Sequence, residues 1–215
     1  MGMKAVTAVV VDNGEPDLEE CLLSLRDQTV EPYIIVASGP KTDMELAKSL
    51  ADEVLPPESG IGKARVKAIL KAESKYILSC DTDTVYYPYY VEAAENSLRR
   101  NHFVRGIFYP KDEIGFWNTV EQWLVFVPYE FCLAFRKDSF MNLEIHKEDY
   151  SNPRQDIGYY IWAKLTPVLI EPTMVCYTRL PTKAVVVFKE NYLKSALGAL
   201  APVAGAFIVV ARWFI

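Results

Sequence analysis

Histidine is scarce in this 215-residue sequence, and its cysteines are few and far apart. The two histidines, His102 and His146, lie in charged or polar segments, where we expect exposed side chains. The four cysteines form no Cys-x-x-Cys pair, so neither a zinc knuckle nor a thioredoxin-like motif is present. Each cysteine lies in an apolar run, and we predict that all four are reduced and buried.

Basic residues are also fewer than acidic residues. The formal net charge of −5 argues against a nucleic-acid-binding protein, because such proteins usually present a basic face. The sequence contains no N-glycosylation sequon and opens with no signal peptide. We therefore expect a cytoplasmic protein, either free or at the cytoplasmic face of a membrane.

Charged residues are missing from one long stretch near the C-terminus, residues 195–211, which Lys194 and Arg212 flank. A membrane-spanning helix needs about 17–25 predominantly apolar residues, so this stretch is at the lower limit. It is either a helix in contact with a membrane, which the missing charges favour, or a buried C-terminal helix. We predict one folded domain over residues 1–189 and a hydrophobic helix over residues 190–215.

Strand-like and helix-like segments alternate through the first hundred residues. Four segments have the profile of buried strands: residues 4–12, 32–38, 52–57 and 75–80. A helical pattern follows each of them, and Pro16 and Pro88 lie where two of these helices begin. The alternation predicts an α/β fold with a mostly parallel central sheet and helices on both of its faces.

The pattern is less regular beyond residue 103. Further strands are predicted at residues 103–109, 130–136, 168–172, 174–177 and 183–188. Helices are predicted around residues 115–127 and 154–165. No repeat or low-complexity linker divides this region from the first part.

Two carboxylates, Asp81 and Asp83, directly follow the fourth predicted strand. Carboxylate oxygens suit Mg²⁺ or Mn²⁺, which take few protein ligands and complete their shell with substrate phosphates. An aspartate in a turn can instead cap a helix, so the pair alone leaves both interpretations open. In parallel sheets, ligands bind at the carboxyl ends of the strands. If the fourth strand lies beside the first, Asn13 and Asp81 open onto the same crevice.

Five segments, in their order along the chain, resemble motifs of one enzyme family. They are "AVVVDNGEPDLEECLLSLRDQTVEPYIIVASG", "GIGKARVKAI", "YILSCDTDTVYYPYYVEAA", "FRKDSF" and "RQDIGYYIWAKLTPVLIEP". The order of these segments resembles that in the nucleotide-binding half of the inverting glycosyltransferases of family 2. The resemblance covers residues 4–175. The resemblance implies that residues 1–189 are a GT-A catalytic domain with a Rossmann-like central sheet.

The resemblance also implies a site for a metal ion and a nucleotide-sugar donor. Asp83 would be the direct metal ligand, and Asp81 would contact the ribose of the donor or a water bound to the metal. Asn13 and Glu15 lie where the first loop of the family meets the nucleotide. Arg65 lies where a helix of the family approaches the diphosphate. Mn²⁺ or Mg²⁺ is the implied cofactor.

The resemblance also implies that Asp156 is the general base, which removes the proton from the acceptor hydroxyl. Gln155 replaces the glutamate that usually precedes this aspartate in the family. The second strand of the family usually ends in an aspartate that recognises the base of the nucleotide. Ala37 and Ser38 occupy that region here, so Ser38 is the predicted donor-binding residue and the base is left open.

Three functions are consistent with these features. The first is a metal-dependent inverting glycosyltransferase that moves a sugar, a hexosyl group by resemblance, from a nucleotide diphosphate to a glycan, lipid-linked or protein acceptor. The second is a phosphatase of the haloacid dehalogenase type, because "DTDTV" also fits the opening motif of that superfamily. The third is a protein of the same fold that binds a nucleotide without catalysis.

Overall fold

A computed structural model of the chain describes residues 4–111, 130–143 and 166–179. These residues belong to one compact unit. Several predictions of the sequence analysis lie outside the described residues: Asp156, His146, the strand at 183–188, the helices around 115–127 and 154–165, and the C-terminal segment 190–215.

The described residues form eight strands, five α-helices and one 3-10 turn. The strands are β1 (Val6–Asp12), β2 (Tyr33–Ser38), β3 (Glu53–Leu55), β4 (Tyr76–Asp81), β5 (Thr84–Tyr86), β6 (Phe103–Pro110), β7 (Leu133–Arg136) and β8 (Leu169–Thr178). The helices are α1 (Leu18–Arg26), α2 (Met44–Leu50), α3 (Ile61–Lys71), α4 (Tyr90–Leu98) and α5 (Lys137–Asn142). The 3-10 turn, Glu130–Cys132, precedes β7.

All eight strands belong to one sheet, in the order β3-β2-β1-β4-β7-β6-β8-β5. The first four strands of this order are mutually parallel. β7 is antiparallel to both of its neighbours, β6 and β8 are parallel, and β5 closes the edge as an antiparallel strand. The predicted α/β fold with a mostly parallel sheet is confirmed, and β4 lies beside β1 as the predicted crevice requires.

Apolar residues at helical spacing explain how the helices pack against the sheet. In α1, the four residues that recur at this spacing are buried: Leu18, Cys21, Leu22 and Leu25. In α3, Ala64, Ala68 and Ile69 are buried, but Ile61 is 48% exposed. Ile61 is the first residue of α3.

The core lies on both faces of the sheet. On one face, Ala64, Ala68 and Ile69 of α3 and Phe140 of α5 pack with Val9 and Ile77 of the central strands. Because side chains alternate along a strand, Val10 and Leu78 point to the opposite face. α4 contacts β4, β6, β7 and β8 there. All four cysteines are buried and free, as predicted, and His102 is exposed.

Three strand predictions need correction. Residues 130–132 form a 3-10 turn, and the strand begins only at Leu133. Residues 168–172 and 174–177 were predicted as two strands, yet β8 is continuous across Pro172. The register of the pairing between β8 and β6 shifts between Arg105 and Ile107. A strand can accommodate proline at such a break in regular pairing. β5 was not predicted, because its three residues have too short a pattern to detect.

Candidate functional site

The carboxyl ends of β1, β2 and β4 meet at one edge of the sheet. Asp12 pairs with Ser38 across β1 and β2, and Val11 pairs with Asp81 across β1 and β4. The loops that follow these strands therefore begin side by side. The structure thus brings together three of the predicted donor-site positions, Asn13, Ser38 and Asp81, from distant parts of the sequence.

The loop after β1 is shaped by Asp12, which sequence analysis did not select. Its buried carboxylate accepts hydrogen bonds from the backbone N–H of Gly14 at 3.0 Å and of Glu15 at 3.1 Å. Gly14 adopts a positive φ of 88°, a conformation that favours glycine. An aspartate directly before Asn-Gly at the end of an apolar strand is the sequence signal for such a turn. The turn leaves Glu15 exposed.

The loop after β2 packs closely against the loop after β1. The backbone N–H of Gly39 donates to the carbonyl of Asp12 at 2.7 Å, and the Thr42 hydroxyl donates to the same carbonyl at 2.9 Å. A Cβ atom on Gly39 would lie 2.4 Å from Oδ1 of Asn13. Residue 39 must therefore be glycine for Asn13 to keep this position, and sequence analysis did not identify Gly39.

Ser38 is fully buried. Its hydroxyl donates to the carbonyl of Leu55 in β3 at 2.5 Å. The hydroxyl thus joins two neighbouring strands within the protein. Its contact with a donor stays a prediction, which rests on the place of Ser38 at the end of β2.

Asp81 is held by an arginine from the helix above it. Nη2 of Arg65 donates to Oδ1 of Asp81 at 2.5 Å, and Nη1 donates to the hydroxyl of Ser79 at 2.6 Å. The Arg65 side chain is 1% exposed, whereas that of Asp81 is 34% exposed. Sequence analysis placed both residues in the donor site but did not predict that they pair with each other.

Asp83 lies between β4 and β5 and is half-buried. The hydroxyls of Thr84 and Thr178 lie 3.2 Å and 3.4 Å from its Oδ1. Burial, followed by the negative charge of Asp81, raises the pKa of Asp83 to about 6, and the two hydroxyl contacts only partly oppose this. Among the described residues, the side-chain contacts of the Asp83 carboxylate are hydroxyl groups, and its negative charge is unfavourable at this half-buried position.

A partly buried charge cluster lies next to Asp83. Asp17, just before α1, accepts from Nζ of Lys111 at 2.9 Å and from Nη2 of Arg179 at 3.1 Å. The backbone N–H of Arg179 also donates to the carbonyl of Asp83 at 3.2 Å. The cluster ties the ends of β6 and β8 to the site. Its members are too distant in sequence for the pairing to be predicted.

The donor set of Asp81 and Asp83 suits a divalent ion that is shared with a substrate. Within residues 4–111, 130–143 and 166–179, no group of three or more histidine, cysteine or acidic residues could hold a metal ion alone. Mg²⁺ and Mn²⁺ commonly take one or two carboxylates and complete their shell with phosphate oxygens and water. A half-buried carboxylate with a raised pKa is a fitting ligand, because a cation would compensate its charge.

The family of the chain is shown by comparison with known proteins. The model of glycosyl transferase family 2 matches residues 7–152, more than half of the sequence. The chain belongs to this family. No curated protein matches the sequence.

Solved structures show that the fold is that of GT-A glycosyltransferases. Residues 1–349 of TarS from S. aureus are 15% identical, with a TM-score of 0.63, over 81% of this chain and 60% of that one. The same TarS segment in complex with UDP-GlcNAc is 16% identical, with a TM-score of 0.61, over 83% and 59%. The mannosyltransferase PcManGT from Pyrobaculum calidifontis, in complex with GDP-Man and Mn²⁺, is 16% identical, with a TM-score of 0.66, over 94% and 64%. The chain thus spans about three fifths of the length of these proteins.

Membrane contact is a separate question from the fold. Among the residues that the structure describes, no helix has the length and apolar character to cross a bilayer. The predicted C-terminal helix is outside that set, so its contact with a membrane stays a prediction.

Proposed function

We propose that the protein is a metal-dependent, inverting glycosyltransferase. It would transfer a hexosyl group from a nucleoside diphosphate sugar to an acceptor hydroxyl. The observation that carries this proposal is the pair Asp81 and Asp83 at the carboxyl edge of a parallel sheet, in a chain of glycosyl transferase family 2.

Asp83 and Asp81 would hold the metal ion together with the diphosphate of the donor. When bound, Mn²⁺ or Mg²⁺ would stabilise the negative charge that develops on the departing nucleoside diphosphate. TarS in complex with UDP-GlcNAc and PcManGT in complex with GDP-Man and Mn²⁺ support a nucleotide-sugar donor and Mn²⁺. Because these two ligands carry different bases, they leave the base open.

Asn13 and Glu15 would contact the nucleotide from the loop after β1. The carboxylate of Asp12 holds the backbone of this loop, so its shape exists before a ligand binds. Asn13 lies against Gly39, and this contact restricts the side-chain amide of Asn13 in the same way. A preformed loop binds with less loss of conformational entropy, which supports a role in donor binding.

Asp156 would act as the general base. The acceptor oxygen forms a bond to the anomeric carbon as the bond from this carbon to the phosphate oxygen breaks, and the hydroxyl proton moves to Asp156. One displacement inverts the configuration at the anomeric carbon and needs no nucleophile from the protein. This role comes from the resemblance, because Asp156 is outside the described residues.

The acceptor would be a glycan, a lipid-linked sugar or a protein. The uncharged stretch at residues 195–211 supports contact with a membrane, which we place at its cytoplasmic face. A lipid-linked acceptor would be accessible from that position.

A thermal-shift screen tests the proposal directly. UDP- and GDP-sugars are added to the full chain with Mn²⁺ or with a chelator, and hydrolysis or transfer of the sugar is followed in parallel. We expect a nucleotide sugar to stabilise the protein more strongly with Mn²⁺ than with the chelator, together with release of the nucleoside diphosphate. Stabilisation without any turnover would favour the non-catalytic alternative. Hydrolysis of simple phosphomonoesters without use of nucleotide sugars would favour the phosphatase.

A further inference from the structure

We infer that Arg65 is a positioning residue that orients the carboxylate of Asp81, with Ser79 as its second anchor, and that Arg65 does not bind the donor diphosphate. This inference rests on the proposed function, because it assigns a task to Asp81 in binding the metal and the nucleotide. It differs from the role that the family resemblance implies for Arg65.

The contacts of Arg65 restrict the guanidinium group at two points. One terminal nitrogen donates to Oδ1 of Asp81 at 2.5 Å, and the other donates to the hydroxyl of Ser79 at 2.6 Å. A guanidinium is planar and rigid, so two anchored nitrogens fix the direction of each N–H bond. The orientation of the Asp81 carboxylate is thereby set by the protein before any ligand is present.

The fold explains why these three side chains meet. Ser79 and Asp81 are two residues apart in β4, so they point to the same face of the sheet. α3 packs on that face, because Ala64 and Ala68 share a cluster with Ile77 of the same strand. Arg65 is buried beside them and reaches along the strand toward its carboxyl end.

Burial separates the two partners. The Asp81 side chain is 34% exposed at the crevice, whereas Arg65 is 1% exposed. A ligand that enters the crevice therefore meets the carboxylate first. A direct contact between Arg65 and a diphosphate would require the guanidinium to leave Asp81 and Ser79 and to move out of the core.

The backbone of Asp81 is held by a different set of contacts. Its N–H donates to the hydroxyl of Tyr86 at 3.3 Å, and this hydroxyl donates to the carbonyl of Phe131 at 2.9 Å. The thiol of Cys21 donates to the Asp81 carbonyl at 3.5 Å. Loss of the guanidinium should therefore release the carboxylate while the main chain at residue 81 stays in place.

A double-mutant cycle tests the inference on the full chain. The variants are Arg65→Met, Asp81→Asn and the double variant, and the probes are Mn²⁺ with UDP or with GDP, whichever the wild type binds. Bound Mn²⁺ is measured by electron paramagnetic resonance, and nucleotide affinity in chelator by calorimetry. Ser79→Ala keeps both charges and removes only the second anchor. Thr7→Ala is the matched control, because the Thr7 hydroxyl bonds Ser74 in the buried part of β1, away from the crevice.

We expect Arg65→Met to weaken Mn²⁺ binding with nucleotide at least about tenfold, the usual cost of removing a residue that orients a metal ligand. Ser79→Ala should weaken it by a smaller factor, and Thr7→Ala should leave it unchanged. In the Asp81→Asn background, Arg65→Met should cause no further loss. Affinity for the nucleotide in chelator should be the same for Arg65→Met and wild type.

If the fold-losses of Mn²⁺ affinity caused by Arg65→Met and Asp81→Asn multiply in the double variant, the two residues act independently and the inference is overturned. A lower affinity of Arg65→Met for the nucleotide in chelator would also overturn it. Either result would favour direct contact of Arg65 with the diphosphate. If Arg65→Met does not fold, Ser79→Ala decides: an unchanged affinity for Mn²⁺ overturns the inference. If the wild type binds no Mn²⁺ with either nucleotide, the proposed function itself fails.

Discussion

Replacement of Asp83 by asparagine should make the ligand-free protein more stable at neutral pH. The carboxylate is half-buried next to Asp81, and its pKa is raised from 3.8 to about 6, chiefly by burial. Asparagine has nearly the same shape and can still accept hydrogen bonds from Thr84 and Thr178. The substitution therefore removes an unfavourable charge and keeps the local contacts.

The magnitude follows from the pKa shift. A pKa higher by about 2 units corresponds to about 3 kcal/mol, at 1.36 kcal/mol for each unit. Because the site is open to solvent on one side, screening reduces this cost, and we expect about 1–3 kcal/mol. Below the ordinary pKa of 3.8, Asp83 is protonated in both the folded and the unfolded protein and costs nothing. The cost develops as the pH rises from about 4 to about 6 and is complete above that range.

The assay is denaturant unfolding of ligand-free Asp83→Asn and wild type at pH 7.5 and at pH 4. We expect the variant to be more stable at pH 7.5 and the difference to vanish at pH 4. Asp138→Asn is the control: burial raises the Asp138 pKa, but hydrogen bonds from Arg136 and Ser139 outweigh this and lower it. That variant should not be stabilised. A less stable Asp83→Asn at pH 7.5, or a difference independent of pH, would refute the reasoning.

Three further predictions concern the same crevice. Gly39→Ala should lower the unfolding free energy by about 1–3 kcal/mol and weaken nucleotide binding, because its Cβ would lie 2.4 Å from Oδ1 of Asn13. Asn13→Ala should relieve the loss of stability, and equal losses in both backgrounds would contradict this packing argument. Binding of Mn²⁺ with nucleotide should weaken as the pH falls through about 6, because Asp83 with its raised pKa becomes protonated there. An affinity for Mn²⁺ that calorimetry finds unchanged from pH 7.5 to pH 5 would exclude Asp83 as a ligand. Asp156→Asn should keep donor binding and lose sugar transfer in a product assay, and normal transfer would show that another group is the base.

Local patterns in the sequence predicted a large part of the fold. The uninterrupted apolar runs of β1, β2 and β4 are typical of strands buried on both faces, and the residues after them were sufficient to predict the crevice. The continuity of β8 was not predictable, because Pro172 is a local signal for the end of a strand. The bulge that accommodates it depends on the partner strand, β6.

The candidate site likewise has features that the sequence predicted and features that it did not. Asp81 and Asp83 were recognised because two carboxylates after a buried strand are a local feature of the sequence. The pairing of Asp17 with Lys111 and Arg179 joins residues 94 and 162 positions apart, and no local pattern encodes such a contact. The same is true of Gly39, whose missing side chain matters only because Asn13 lies against it.

The sequence by itself determined the alternation of strands and helices, the edge of the sheet that carries the candidate site and the carboxylates at that edge, because each depends on the order and polarity of neighbouring residues. Only the tertiary structure decided what those residues do for each other. It buried Arg65 against Asp81 and Ser79, and it left Asp83 partly desolvated beside the negative charge of Asp81. Charge compensation and desolvation depend on distances through space, and these exist only once the sheet and its helices have packed.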